Sequence, residues 1–264
     1  DVSHELKTPL TSILGYAETL SETDYDEEIR QKFLGVISSE AVRMTKLVND
    51  LLTLSKFDNK KTEWERTEFD LGELVKQCQQ NLQIEMEKKH QKVECFVTAN
   101  VPNVYADRDG IERVVLNILS NSIKYTGEGG TITKSLTQYP GEKDGWCLLE
   151  IIIADTGIGM SEEFKEHIFE SFSRERTSTE SGVEGSGLGM GIVKKLVDIM
   201  EGSIEIESKL GEGSRFIVKI PTRIANEEDM KPKRARNKVD RSSLCGKRIL
   251  LAEDNDLNAE IATE

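Results

Sequence analysis

The sequence predicts a multidomain chain: a helical hairpin that pairs with a second copy as a four-helix bundle, followed by an α/β sandwich. Three observations predict it. Apolar residues recur at helical spacing through residues 1–57 with one polar break, short alternating strand patterns interleave with helical ones through 67–222, and periodicity then disappears. A chain of 264 residues accommodates about two domains. Its net charge of -13 argues against a nucleic-acid partner, because phosphate backbones call for basic patches. No apolar run approaches the length of a membrane span.

Residues 1–20 place Leu6, Leu10, Ile13, Leu14 and Ala17 on one helical face, with Thr8 one turn after His4. Pro9 removes a hydrogen bond and crowds the carbonyl of Glu5, so a bend is expected just after His4. The polar run 21–26 reads as a turn. Helix returns over 27–57, where Phe33, Val36, Ile37, Ala41, Met44, Leu47, Val48, Leu51 and Leu54 form a long stripe. A lone hairpin cannot cover such a stripe; two hairpins can, which predicts a homodimer, with packing against the rest of the same chain as the alternative. These divisions assign residues 1–58 to the hairpin, 59–66 to a charged linker and 67–222 to the sandwich.

Within the sandwich, 70–90 reads as one amphipathic helix and Val93–Val97 as a strand. A helix over 108–125 turns Ile111, Val114, Val115, Ile118 and Leu119 inward. Ile132–Gln138 and Gly145–Ala154 form a hairpin turning at Tyr139, Pro140 and Gly141. A helix over 188–201 and a second hairpin, Ser203–Glu207 with Ser214–Ile220, complete a mostly antiparallel sheet under helices. Residues 223–246 read as a flexible basic linker, and 247–264 as a buried strand ending in Glu253 and Asp254 before a new helix. The four cysteines, at 78, 95, 147 and 245, have no metal or redox spacing and read as free thiols of a reducing compartment. The uncapped helical start suggests an excised fragment, with any sensor or membrane anchor upstream.

Several stretches carry chemistry. Asn117, Asn121 and Lys124 are spaced four and three apart on one helix face; amide oxygens suit Mg²⁺ and a lysine suits phosphate, although taken alone an exposed polar face is the plainer reading. Asp155 follows an apolar strand and precedes Gly157 and Gly159. Its carboxylate can accept from an exocyclic amine while the glycines admit a flat ring; turn chemistry is the plainer reading. Gly185, Gly187, Gly189 and Gly191 open a helix, exposing N–H groups that favour phosphate. The spacing fits neither GxxxxGK[ST] nor GxGxxG. Residues 160–187, with Phe169 and Phe172, read as a lid over a nucleotide or as a surface loop. His90 and His167 read as surface residues.

In combination these stretches resemble the transmitter region of bacterial two-component sensor histidine kinases, from the first residue to about Pro221. Ser3-His4-Glu5-Leu6-Lys7-Thr8-Pro9-Leu10 resembles the phospho-acceptor motif, and Asn117–Tyr125 the asparagine box. Asp155–Gly159, Ile168–Phe172, Gly185–Gly189 and Gly211–Phe216 are similar to the family's remaining boxes, in the family's order. The resemblance implies a hairpin for dimerisation and phosphotransfer, then an ATP-binding sandwich of the GHKL (Bergerat) type shared with gyrase, Hsp90 and mismatch-repair ATPases. The tail resembles the start of a receiver domain, implying a hybrid kinase whose receiver aspartate lies beyond residue 264. Ser122 and Gly191 stand where the family often has Ala, and Ser or Ala; as small-for-small changes they are expected to matter little.

The resemblance also implies roles. ATP would phosphorylate His4 with Glu5 fixing the imidazole tautomer, and the phosphoryl group would pass to a receiver aspartate, on the chain's own receiver or a separate regulator. Thr8 would position water for dephosphorylating that receiver. Asn117 would ligate Mg²⁺, Asn121 would support the phosphates, and Lys124 and Tyr125 would contact the nucleotide. Asp155 would read the adenine amine beside Gly157 and Gly159, and Gly185, Gly187, Leu188 and Gly189 would cover the phosphates. A cytoplasmic location is expected, as part of a sensor anchored upstream.

Overall fold

The computed structural model describes residues 2–58, 66–98, 103–173 and 187–225. The basic stretch 226–246, the tail 247–264 and Gly185 lie outside the described residues.

Two long helices come first, α1 (Val2–Glu22) and α2 (Glu27–Asp58). They pack on one another, and Tyr16 and Tyr25 both meet Phe33, with ring centroids 5.2 and 5.4 Å apart. Helix α1 is continuous from Val2 to Glu22 with the buried Pro9 inside it, where one helical hydrogen bond is missing. Much of the hairpin's apolar surface stays open: Leu10, Leu14, Val48 and Leu52 are exposed, whereas Leu47 is buried and Leu6, Leu51 and Leu54 pack against the core cluster that includes it.

The second domain is a seven-stranded sheet with helices on one face. Its strands are β1 (Arg66–Asp70), β2 (Lys92–Thr98), β3 (Asn103–Asp107), β4 (Thr131–Pro140), β5 (Trp146–Asp155), β6 (Ser203–Lys209) and β7 (Gly213–Ile224). The order is β1-β3-β7-β5-β4-β2, with β6 also on β7. Every pairing is antiparallel except β2 with β4. The helices are α3 (Leu71–Asn81), α4 (Gln83–Lys88), α5 (Arg108–Tyr125), α6 (Glu162–His167) and α7 (Gly189–Ile199).

Strand alternation decides what reaches the core. Along β5, Cys147, Leu149, Ile151, Ile153 and Asp155 point under the helices, while the intervening residues stay partly exposed. The five inward positions expected on α5 are all buried. Asp107 caps α5 by accepting from the Gly110 amide at 3.1 Å. At its other end Lys89 Nζ donates to the carbonyls of Ile123 and Lys124 at 2.8 Å, and Gln91 Nε2 donates to those of Ile123 and Thr126. These bonds satisfy the orphan carbonyls of the last turn and fix where Lys124 and Tyr125 stand.

Four boundaries differ from the sequence reading. The expected helix over 70–90 is two helices, because the chain tightens at Leu82, whose N–H turns back to Gln79 and Gln80. Arg66, assigned to the linker, begins β1, and β7 runs to Ile224, so the domain is longer at both ends than 67–222. The β4–β5 turn lies beyond Pro140, since Tyr139 and Pro140 still pair with Leu148 and Cys147. The short strand β3 was not anticipated; it carries Val104 and Ala106 inward.

Candidate functional site

A cavity of about 210 Å³ opens between α5, the end of β5, the segment after it and the start of α7. Asn117, Ser120, Asn121, Lys124 and Tyr125 line it from α5. They lie on the flank of the helix not committed to the core, which their spacing of three and four residues dictates. The Lys124 ammonium sits 4.7 Å from the Tyr125 ring centre and donates to its hydroxyl at 3.2 Å.

Asp155 closes the inner end of the cavity. Strand alternation puts its carboxylate among apolar side chains, and burial pushes its pKa up from the usual 3.8. Donors oppose that rise. The Gly157 amide donates to Oδ1 at 3.0 Å and Ser122 Oγ to Oδ2 at 3.0 Å, and the Ser214 amide also bonds the carboxylate. Three donors on four lone-pair sites leave the carboxylate one acceptor site for a ligand. The glycines following Asp155 are required by close approach. A Cβ on Gly157 would lie 2.6 Å from the Tyr125 carbonyl, and one on Gly159, at φ +66°, would overlap the Lys209 carbonyl.

Apolar side chains complete the inner cavity: Ile158, Met160, Phe164, Ile168, Met190 and Phe216. At its outer end α7 begins at Gly189 with no side-chain cap, which leaves the first N–H groups of that helix for an anion. A Cβ on Gly189 would stand 3.2 Å from Asn117 Oδ1, so the glycine keeps that amide open to the cavity. Gly187 and Gly189 both line the cavity, and Leu188 between them is fully buried as an anchor. Phe172 N–H donates to the Gly187 carbonyl at 2.9 Å, tying the expected lid to this turn. Helix α6, capped by Ser161, occupies part of that lid.

The structure therefore brings Asn117, Asn121, Lys124, Tyr125, Asp155, Gly159, Gly187 and Gly189 to one cavity, with Gly157 and Leu188 supporting its walls. His4, Glu5 and Thr8 lie apart from it on α1. His4 and Thr8 are exposed and Glu5 is half-buried, and Thr8 Oγ1 donates to the His4 carbonyl at 3.1 Å. His90 and His167 are exposed; His167 bonds Glu170 at 2.8 Å, which raises its pKa.

Three lining residues had no place in the sequence reading. Ser122, set aside as a small-for-small change, donates to Asp155. Lys46 and Asp50 reach the cavity from α2, outside the sandwich altogether. Asp50 is 4% exposed and pairs with Arg113 of α5 at 3.0 Å. Their one-turn spacing on α2 was visible, but nothing local indicated which domain that face would meet.

Residues 1–60 match the family described as the His Kinase A (phospho-acceptor) domain, and residues 106–224 match the histidine kinase-, DNA gyrase B- and HSP90-like ATPases. Sensor histidine kinase YclK of Bacillus subtilis (strain 168) is 35% identical over 222 residues, 84% of this chain and 45% of its own length. Among solved structures, full-length ShkA in complex with AMPPNP aligns with a TM-score of 0.64 and 26% identity over 84% of this chain and 45% of ShkA. Histidine kinase ThkA in complex with response regulator protein TrrA aligns with a TM-score of 0.64 and 28% identity, over 83% of this chain and 59% of ThkA. The chain spans less than half the length of the curated relatives it matches. Among the described residues no helix is long and apolar enough to cross a membrane.

Proposed function

We infer that this chain, which belongs to the two-component sensor histidine kinases, binds ATP in the α5–α7 cavity, phosphorylates His4 and passes the phosphoryl group to a receiver aspartate. The observation that carries this reading is the convergence on one cavity of a buried acceptor, an apolar slot, an amide-and-lysine helix face and an uncapped helix start, in a chain that also exposes a histidine on a separate hairpin. The solved relative bound to AMPPNP and the one bound to a response regulator support the nucleotide and the partner.

Asp155 accepts from the adenine amine while the apolar walls hold the ring. The ionised carboxylate offers only acceptors, so guanine, with a carbonyl at the corresponding position, is rejected. Lys124 and Tyr125 border the sugar and phosphates, Asn121 supports the phosphates, and the turn at Gly187–Gly189 covers them with backbone N–H groups. The residues present fit Mg²⁺. Among the described residues no hydrogen bond occupies the Asn117 amide, which Gly189 leaves open to the cavity. Asn117 would hold the ion, whose charge offsets that of the phosphates.

On the hairpin, a neutral His4 imidazole attacks the terminal phosphorus through Nε2. The new N–P bond forms as the bridging P–O bond breaks, and ADP leaves with that electron pair. Glu5 accepts from the other ring nitrogen and takes up the charge that develops there. Thr8, freed from the His4 carbonyl, orients water for hydrolysis of the phosphorylated receiver. The open stripe of α1 and α2 supports a homodimer. The domains run 1–58 for the hairpin and 66–224 for the ATP-binding sandwich, with a receiver start at 247–264.

Incubation with γ-labelled ATP and Mg²⁺ tests the reading. We expect acid-labile, alkali-stable label that disappears in His4→Gln. A folded, nucleotide-binding protein that takes no label, also when extended upstream of residue 1, would instead be an ATP-driven clamp.

A further inference from the structure

The nucleotide cavity has one wall that the sandwich does not supply. Helix α2 crosses α5 and α7 there, burying Leu47 to 2% exposure. One turn apart on the same face, Lys46 and Asp50 line the cavity beside Asn117. Asp50 Oδ1 accepts from the Arg113 guanidinium at 3.0 Å. Its Oδ2 is buried and has no partner among the described residues. A buried carboxylate oxygen left without a donor is costly, and carboxylates in that state commonly await a cation or a donor that arrives with a ligand. Lys46, by contrast, is exposed, with no ion pair among the described residues. No set of three His, Cys, Asp or Glu side chains able to hold a metal alone occurs among the described residues. Any ion here must be completed by oxygens from elsewhere.

We propose that the Lys46–Asp50 face of α2 is a half-site for the magnesium–triphosphate end of the nucleotide, contributed by the hairpin to the sandwich. Asp50 supplies Oδ2 to the coordination sphere that Asn117 also serves, and Lys46 meets the terminal phosphate. The charges are complementary. Arg113 already engages one oxygen of the Asp50 carboxylate, and a divalent cation would engage the other. The ammonium of Lys46 faces the end of the triphosphate that ADP lacks. This arrangement rests on the ATP reading of the cavity and adds to it a role for the phosphotransfer helix in nucleotide retention.

Calorimetric titration of the 264-residue chain with AMPPNP and ADP, in EDTA and across a magnesium series, tests it. For Asp50→Asn we expect about tenfold more magnesium for half-maximal AMPPNP binding, with affinity in EDTA unchanged within about twofold; Asp50→Glu should keep the parent's requirement. Lys46→Ala should weaken AMPPNP about fivefold and leave ADP nearly unchanged. Asp50→Cys should bind AMPPNP better with Cd²⁺ than with Mg²⁺, a preference the parent should lack, since thiolate is a soft ligand. Thermal melts confirm that each variant is folded. Superimposable magnesium titrations of parent and Asp50→Asn, or no cadmium preference in Asp50→Cys, would overturn the half-site while leaving the kinase reading intact. A parent protein that binds no AMPPNP would overturn the kinase reading itself.

Discussion

Asp155 serves two opposed demands. In the proposed reading it accepts from an amine best when ionised, yet strand alternation buries it among apolar side chains, and its pKa is raised. In the window between 3.8 and that raised value the folded state binds more protons than the unfolded one. Its contribution to stability is therefore most favourable below the ordinary value and declines as pH rises through the folded one. Ionised Asp155 costs stability at neutral pH, a cost that the proposed reading assigns to ligand recognition. Asp155→Asn should accordingly keep or raise the apo melting temperature at pH 7 while weakening AMPPNP about 10- to 100-fold, the worth of a hydrogen bond to a charged acceptor. Ser122 makes the reverse case, because its hydroxyl helps hold the carboxylate ionised. Ser122→Ala should move the pH at which AMPPNP binding is lost upward and lower the apo melting temperature by a few degrees. Calorimetry across a pH series reads both variants. An unshifted binding profile in Ser122→Ala would show that this hydroxyl does not tune Asp155.

At the scale of elements, α1 and α2 divide their apolar residues between two jobs. Leu47 turns toward the sandwich, with Leu51 and Leu54 packed against the same core cluster, whereas Leu10, Leu14, Val48 and Leu52 stay open to a second hairpin. Leu52, at 55% exposure, belongs to the open set. Leu52→Glu should turn the dimer into monomer at micromolar concentration, because two carboxylates would have to be buried at the seam. Light scattering coupled to size exclusion decides it, and an undiminished dimer would place the seam elsewhere. The sequence predicts a second hairpin for this stripe, with the rest of the same chain as the alternative, since periodicity defines a face and not what covers it. The same limit explains other differences. Helix α5 was legible because five apolar residues recur on one side with Asp107 as a cap. Strand β1, reading Arg-Thr-Glu-Phe-Asp, shows little apolar alternation and is recruited by pairing with β3. The break at Leu82 falls inside an unbroken amphipathic pattern, where no Gly or Pro marks it.

For the molecule as a whole, what could be read in advance was each half of the chemistry, and what could not was their relation. Asn117, Asp155 and the glycines announce themselves by local spacing, because each acts through its own element. Lys46 and Asp50 do not, because their meaning depends on which domain α2 lies against. In the structure that contact is made by Leu47 and by the Asp50–Arg113 pair, and His4 is absent from the residues lining the cavity. Phosphoryl transfer needs reacting atoms about 3–3.5 Å apart. For transfer within one chain, the sandwich would have to leave this position on α2 before His4 reaches the nucleotide, and the Asp50–Arg113 pair resists that departure. Asp50 is almost fully buried and Arg113 about one-third exposed, so solvent screens the pair only in part. Arg113→Ala should then act in two directions at once. Maximal autophosphorylation at saturating ATP should rise about 5- to 50-fold, because the docked arrangement no longer competes with the transfer-competent one. The KM for ATP should also rise, because the undocked hairpin withdraws Lys46 and Asp50 from the nucleotide. Initial rates of His4 labelling across an ATP series separate the two. A variant with lower maximal rate and unchanged KM would mean that the α2–α5 contact assists transfer instead of holding the nucleotide in reserve.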